Sequence, residues 1–149
     1  MKYLLDTNIL SYLEEQTSPF HARTKGCFFQ LSDEDEIFIP ILILFELRYS
    51  VSAASPEKTQ RLKDLVRSYR EQFPIMPITE RGSEIFGEIK AKYRNERPGI
   101  NQKALDQHNI DFILASSAIA EDATLVSNDK IFVAIRDIEP SLKLENWAV

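Results

Sequence analysis

Two short apolar runs in this chain each lead into an acidic turn, and that arrangement narrows the folds open to it. Lys2-Tyr3-Leu4-Leu5 reads as a short buried strand ending at Asp6, and Thr124-Leu125-Val126 as another, left through Ser127-Asn128-Asp129. Glu36-Ile37-Phe38-Ile39 reads as a strand, Pro74 to Ile78 as a short extended segment bounded by prolines, and a last strand is expected near Lys143 to Trp147. Helices are expected between them. One starts at Thr7 and runs to Leu13, with Thr7 or Asn8 as its cap, and a second covers Phe20 to Leu31. Ile41 to Ala53 follows, with Pro40 in its first turn, and is apolar on most of its surface, so it is expected to be largely buried. Ser55-Pro56-Glu57 opens a helix to Gln72. Thr79 to Arg97 carries Ile85, Phe86, Ile89 and Tyr93 on one face and stops at Pro98-Gly99. Asn109 is expected to cap a helix running to Glu121.

Short apolar strands alternating with helices imply βαβ units and a mostly parallel sheet, an α/β architecture. Ligands of such folds sit beyond the carboxyl ends of the strands, so Asp6 and Asp129 are expected to share one crevice. The length, 149 residues, fits a single domain spanning 1–149, with no repeat, linker or low-complexity tract. Cys27 is the single cysteine; it has no internal disulfide partner and reads as a packing residue in a reducing compartment. Asp6 interrupts the first apolar run too early for a signal peptide, and Ile37 to Leu47 is too short to span a bilayer and carries Glu46. A cytoplasmic protein is expected.

Most of the 23 acidic residues need no special role, and Asp33-Glu34-Asp35-Glu36 reads as a solvated loop. Four acids stand out because they are embedded in apolar sequence: Asp6, Glu46, Asp111 and Asp129. Each has an ordinary explanation. Asp6 fits a helix cap, Asp111 a first-turn acid favoured by the helix dipole, Asp129 a turn, and Glu46 a partner of Arg48 or another cation. Together they gain a different meaning, because all four have a place at one sheet edge. Clustered carboxylates repel one another by about 4 kcal/mol per close pair at an effective dielectric near 20. A hard divalent cation with oxygen ligands, Mg²⁺ or Mn²⁺, removes that cost and can act on phosphate oxygens and on an attacking water. Zinc chemistry is poorly supplied, since His21, His108 and Cys27 show no ligand spacing, and His108 beside Asn109 reads as a loop residue. No serine or cysteine triad, GxGxxG or Walker A motif is present.

The net charge of −5 counts against a protein held on nucleic acid by bulk electrostatics, but bound cations would offset charge locally. Two basic stripes run against that background. Lys63, Arg67 and Arg70 share one helix face, and Lys90, Arg94 and Arg97 repeat the spacing on another. Each is either a solvated face pairing with Asp64, Glu71 or Glu96, or a track for RNA phosphates. Tyr12, Leu13, Phe45, Tyr49 and Val51 offer more apolar surface than one small domain needs, which predicts a homodimer.

These residues also resemble, in order, the four motifs of the PIN-domain family, and within it the VapC-type toxins of toxin–antitoxin pairs. Tyr3-Leu4-Leu5-Asp6-Thr7-Asn8-Ile9-Leu10-Ser11 looks like the first motif, and Phe45-Glu46-Leu47-Arg48-Tyr49 like the second. Asn109-Ile110-Asp111-Phe112-Ile113-Leu114-Ala115 looks like the third. Leu125-Val126-Ser127-Asn128-Asp129-Lys130-Ile131-Phe132 looks like the fourth, followed by a tail at Leu144-Glu145-Asn146-Trp147. The resemblance implies an α/β three-layer sandwich, Mg²⁺-dependent RNA cleavage, dimerisation and inhibition by a small VapB-type antitoxin. It assigns the acidic positions to Asp6, Glu46, Asp111 and Asp129, with Asn8 and Ser127 supporting the metal or its water. Ser127 stands where threonine is commoner, which keeps the hydroxyl. Leu114-Ala115-Ser116 replaces the usual Ile-Ala-Ala, and the stretch from Gly99 to Asn109 is long, so Asp106 stands as the alternative to Asp111. Asp111 is preferred because it abuts the apolar helix. Two other readings compete. A haloacid-dehalogenase-like phosphatase resembles Asp-x-Asp after its first strand, where this chain has Asp6-Thr7-Asn8. A degenerate PIN-like module would bind a partner without catalysis.

Overall fold

The computed structural model describes residues 1–149. Five short strands lie at its centre: β1 (Lys2–Leu5), β2 (Glu36–Pro40), β3 (Ile75–Met76), β4 (Thr124–Val126) and β5 (Leu144–Glu145). Their spatial order is β3-β2-β1-β4-β5, and every neighbouring pair is parallel. The chain steps outward from β1 to β3 and then returns to the other side of β1. The reversal falls between β1 and β4, where Leu5 pairs with Val126, and such a reversal opens a crevice at the strands' carboxyl ends.

Eight helices cover the two faces: α1 (Thr7–Glu14), α2 (His21–Phe29), α3 (Ile41–Ala53), α4 (Pro56–Gln72), α5 (Glu80–Asn95), α6 (Gln102–Asp106), α7 (Asn109–Ala120) and α8 (Lys130–Ile138). The period-two alternation of strand side chains divides the core between them. Tyr3, Leu5 and Val126 point to one side, where they meet Ile9, Leu10, Ile43, Tyr69 and Phe73 of α1, α3 and the end of α4. Leu4 and Leu125 point to the other, against Ile89, Tyr93, Phe112, Ala115 and Phe132 of α5, α7 and α8. This is the expected three-layer α/β sandwich with a parallel central sheet. Fully burying a side chain such as Phe112 or Phe132 stabilises it by roughly 1.5–3 kcal/mol. Cys27 packs beside the first of these cores, as a packing residue would.

Several local expectations need correction. Asp6, rather than Thr7 or Asn8, caps α1. Pro40 ends β2 and lies just before α3 instead of within its first turn. His108, not Asn109, is the N-cap of α7, and Asn109 is its first helical residue. The long stretch before α7 holds the short helix α6, whose Asn101 side chain caps it at the Ala104 amide. After Asp129 comes a further helix, α8, with Phe132 and Ile135 buried. The largest difference is α3. Only Ile43 is fully buried there, while Phe45 and Tyr49 are 69% and 75% exposed. Its apolar residues surround the axis, but α3 packs on one side only, so the opposite side faces outward. Tyr12, Leu13 and Val51 are half-buried, Tyr12 against the Phe20 ring. No helix is long and apolar enough to cross a membrane.

Candidate active site

The crevice between β1 and β4 is built by the two residues that leave those strands. Asp6 follows Leu5 and caps α1 through Oδ1, which accepts the Thr7 amide at 2.7 Å. Its cap role uses that oxygen and turns Oδ2 towards β4. There the Ser127 hydroxyl donates to Oδ2 at 2.7 Å, and the Asn8 amide lies 3.4 Å from both Oδ2 and the Ser127 Oγ. Ser127 Oγ also accepts the Asp129 amide at 3.0 Å, which folds the turn after β4 back over the strand end. Asp129 caps α8 by accepting the Ile131 amide, and it stays exposed.

A second set of bonds locks this frame. The Asn8 side-chain oxygen accepts the Asn128 amide at 3.3 Å. The Asn128 side chain donates to the Tyr12 hydroxyl and accepts from Asn146 in the tail after β5. Trp147, buried against Tyr3, anchors that tail and donates its indole N–H to Glu145. The supporting roles of Tyr12, Asn128 and Asn146 were missed by sequence reasoning, although Asn128 stands in the fourth motif and Asn146 in the Leu144-Glu145-Asn146-Trp147 tail.

Asp111 enters from α7, in the first turn, with His108 Nδ1 at 3.4 Å from its Oδ2. The His108 ring is wedged between Tyr93 and Phe112. Burial pushes the Asp111 carboxyl above its ordinary range; the charges of Asp129 and Asp6 add to that shift, and His108 opposes it. Asp6 is raised for the same first reason, with Asp129 adding and the Ser127 and Thr7 hydrogen bonds opposing. Asp6, Asp111 and Asp129 therefore share one electrostatic field at the strand ends. Asp106 does not join it. It accepts from Lys90 and Gln102, and the Lys90 ammonium holds its carboxyl below the usual range.

Glu46 differs from its expectation. It is exposed rather than embedded, because it lies on the outward side of α3, and it forms no ion pair with Arg48. Its tie to the site is the Thr7 hydroxyl, which donates to Oε2 at 3.1 Å, one residue from Asp6. Glu46 thus stands at the rim beside the three aspartates. No three acidic, histidine or cysteine side chains are drawn together into a ready metal cage. The available donors around the crevice are carboxylate, amide and hydroxyl oxygens, a set suited to a hard divalent cation and not to zinc.

The two basic stripes fare differently. Lys63, Arg67 and Arg70 are exposed along α4. On α5, Lys90 is held by Asp106 and by Asn109, whose side-chain oxygen lies 2.8 Å away, while Arg97 falls past the end of the helix and lays its guanidinium 3.7 Å from the Tyr93 ring centroid. Only Arg94 of that stripe is left uncommitted.

This fold and site define a PIN domain: the family model for the PIN domain matches residues 3–138, and the chain belongs to that family. Within it the chain is of the VapC type. It is 33% identical to Ribonuclease VapC2 of Rickettsia felis, over 99% of this chain and 98% of that one. The structure of VapBC2 from Rickettsia felis, bound to a DNA fragment from their promoter, superposes with a TM-score of 0.71 at 30% identity, covering 99% of both chains. FitAcB of Neisseria gonorrhoeae gives a TM-score of 0.76 at 21% identity over 97% of each chain, and so shares the fold.

Proposed function

We propose that this protein is a divalent-metal-dependent endoribonuclease, acting in the cytoplasm as the toxin of a VapBC-type toxin–antitoxin pair. Asp6, Glu46, Asp111 and Asp129 form its metal site, with Asn8 and Ser127 in support. The observation that carries this reading is the shared field of Asp6, Asp111 and Asp129 at the β1–β4 reversal. Three carboxylates there, two of them with raised pKa values, form a site whose charge is unbalanced without a cation.

Bound Mg²⁺ or Mn²⁺ would supply positive charge at the scissile phosphate and an activated water for hydrolysis of the phosphodiester bond. The protein's own part is to hold the acids in place. Ser127 and the Thr7 amide fix the Asp6 rotamer, and the Thr7 hydroxyl tethers Glu46. His108 donates towards Asp111 from between two aromatic rings, which fixes that carboxylate on α7. Sequence relatives named as a ribonuclease and as VapBC complexes support RNA as substrate and a small antitoxin as partner. Exposed Phe45 and Tyr49, four positions apart on α3, support a homodimer.

Incubating the protein with RNA tests this: cleavage should need Mg²⁺ or Mn²⁺ and stop on adding a chelator. RNA left intact at all metal concentrations would refute the reading. A partner-binding module without catalysis is the second reading, favoured by the absence of a ready three-ligand cage. Titration with Mn²⁺ separates the two, because a binding-only module need not take it up. Asn8 in place of a second acid leaves the phosphatase reading without its Asp-x-Asp.

A further inference from the structure

Arg48 was not part of either basic stripe, yet the fold completes one with it. The α3–α4 hairpin, closed by the short turn at Ala54-Ser55, forms an open hollow of about 480 Å³. Its walls are Arg48 from α3 and Lys63, Val66, Arg67, Arg70 and Glu71 from α4. Arg48, Lys63 and Arg70 form no ion pair, and Arg67 has only a loose 3.8 Å contact with Asp64, both side chains being exposed. Four exposed cations facing one space against the single acid Glu71 make a local basic patch on a protein of net charge −5, a place where an anion is favoured. Other hollows on the surface mix the signs: Lys2 and Lys143 share theirs with Glu36, Glu121 and Asp122, and Lys92 shares its own with Glu96 and Asp137.

The ligand chemistry follows from the residue types. Guanidinium groups offer planar forked donors that match phosphate oxygens, and three of the four cations are arginines. The hollow is lined with long, exposed side chains and holds a single apolar residue, Val66, which suits a mobile polyanion better than a small enclosed ligand. Arg48 follows Glu46 by two positions on α3, about 3 Å along the axis and on the opposite side of it, so the hollow and the rim of the acidic crevice flank the same helix. The α5 stripe offers no such seat, since Lys90 is already neutralised by Asp106 and Arg97 covers Tyr93.

We propose that the hollow between α3 and α4, lined by Arg48, Lys63, Arg67 and Arg70, is an RNA phosphate-binding subsite that holds the backbone as the strand passes round α3 to the carboxylates. This rests on the ribonuclease reading and adds to it the place where substrate is held.

The test uses the full-length protein, a labelled single-stranded RNA of mixed sequence, and a chelator to prevent cleavage. Affinity is measured across a salt series for wild type, for the quadruple Arg48→Ala/Lys63→Ala/Arg67→Ala/Arg70→Ala variant, and for the milder Arg48→Gln/Arg70→Gln pair. Each lost phosphate contact flattens the slope of log affinity against log salt by roughly 0.7, so the quadruple variant should lose roughly 3 and bind at least about tenfold more weakly at low salt. The double variant should lose roughly half that slope, with Mn²⁺ uptake unchanged in both. Unaltered affinity and slope in both variants overturns the proposal. So does a loss seen only in a Lys90→Ala/Arg94→Ala/Arg97→Ala protein, or polyglutamate binding the hollow as tightly as RNA, which would assign it to an acidic protein partner. RNA held through the hollow but never cut with Mg²⁺ or Mn²⁺ removes the ribonuclease reading and leaves the subsite standing. RNA cut normally and bound normally by the quadruple variant does the reverse.

Discussion

The Ser127 hydroxyl and the Asp6 carboxylate, 121 positions apart in the chain, meet in a 2.7 Å hydrogen bond across the ends of β4 and β1. The bond is charge-assisted, and it is the largest of the contacts that favour the ionised form of Asp6 against its burial. Groups that orient a metal ligand typically govern affinity by 10–100-fold. Ser127→Ala should therefore weaken Mn²⁺ binding by roughly that factor. Ser127→Thr, which keeps the hydroxyl, should restore it. Equal Mn²⁺ affinity for wild type and Ser127→Ala, read by calorimetry, would remove the serine from the site.

Asp111 gives a prediction about stability at constant pH. Its carboxyl is raised by burial and by the charges of Asp129 and Asp6, so its ionised form costs the folded state free energy when no cation is present. Asp111→Asn keeps an acceptor for His108 and removes the charge. With a chelator at neutral pH it should melt at or above the wild-type temperature, and the extra stabilisation that Mg²⁺ or Mn²⁺ gives wild type should shrink. A melting temperature several degrees lower in chelator would mean that Asp111 is not under repulsion.

On the far side of the sheet from α3, Glu139 ties α5 to α8. It accepts from Lys92 and from Ser141, and these bonds, the Lys92 one foremost, hold its carboxyl below its ordinary value. A depressed acid contributes stability that is present above its unfolded pKa and lost as pH falls through its folded one. Wild type should lose part of its stability on that acidic limb, and Glu139→Gln should show a shallower dependence over the same range. Superimposable curves of denaturation midpoint against pH for the two proteins would exclude the clamp.

Assembly is tested through α3. Phe45 and Tyr49 lie on one exposed face, four positions apart, and are the apolar residues there that the protein's own core leaves uncovered. Sedimentation should find a dimer at micromolar concentration and a monomer for Phe45→Ser/Tyr49→Ser, while both proteins melt at similar temperatures because neither side chain is in the core. A wild-type protein that remains monomeric contradicts the dimer.

The parts of this account that were legible in the sequence are those set by local pattern. Tyr3-Leu4-Leu5 and Thr124-Leu125-Val126 had to be buried strands, so the acids leaving them had to lie at one sheet edge. The α5 face of Ile85, Phe86, Ile89 and Tyr93 was equally plain in its spacing, and it packs into the core as read. What failed depended on which side of an element finds a neighbour. The apolar residues of α3 give no preferred face, so Glu46 looked embedded although it is exposed, and its link to Thr7 was invisible. Helix α8 carries its signal in Ile131, Phe132 and Ile135, directly after the Ser127-Asn128-Asp129 turn, whose residue types fit a strand exit as well as a helix cap. The basic stripes looked equivalent until Asp106 and Asn109 of the α6–α7 segment proved to occupy Lys90.

The central claim is that the Asp6 charge is essential to metal-dependent RNA cleavage. Asp6→Asn keeps one oxygen to cap α1 and turns an amide N–H₂ towards the Ser127 Oγ, so it removes the charge with little change of shape. The decisive measurement is the rate of labelled-RNA cleavage with Mg²⁺ by wild type and by Asp6→Asn, both shown to be folded by circular dichroism. The account predicts cleavage by wild type and none above background by the variant. An Asp6→Asn protein that cleaves RNA as fast as wild type would contradict it.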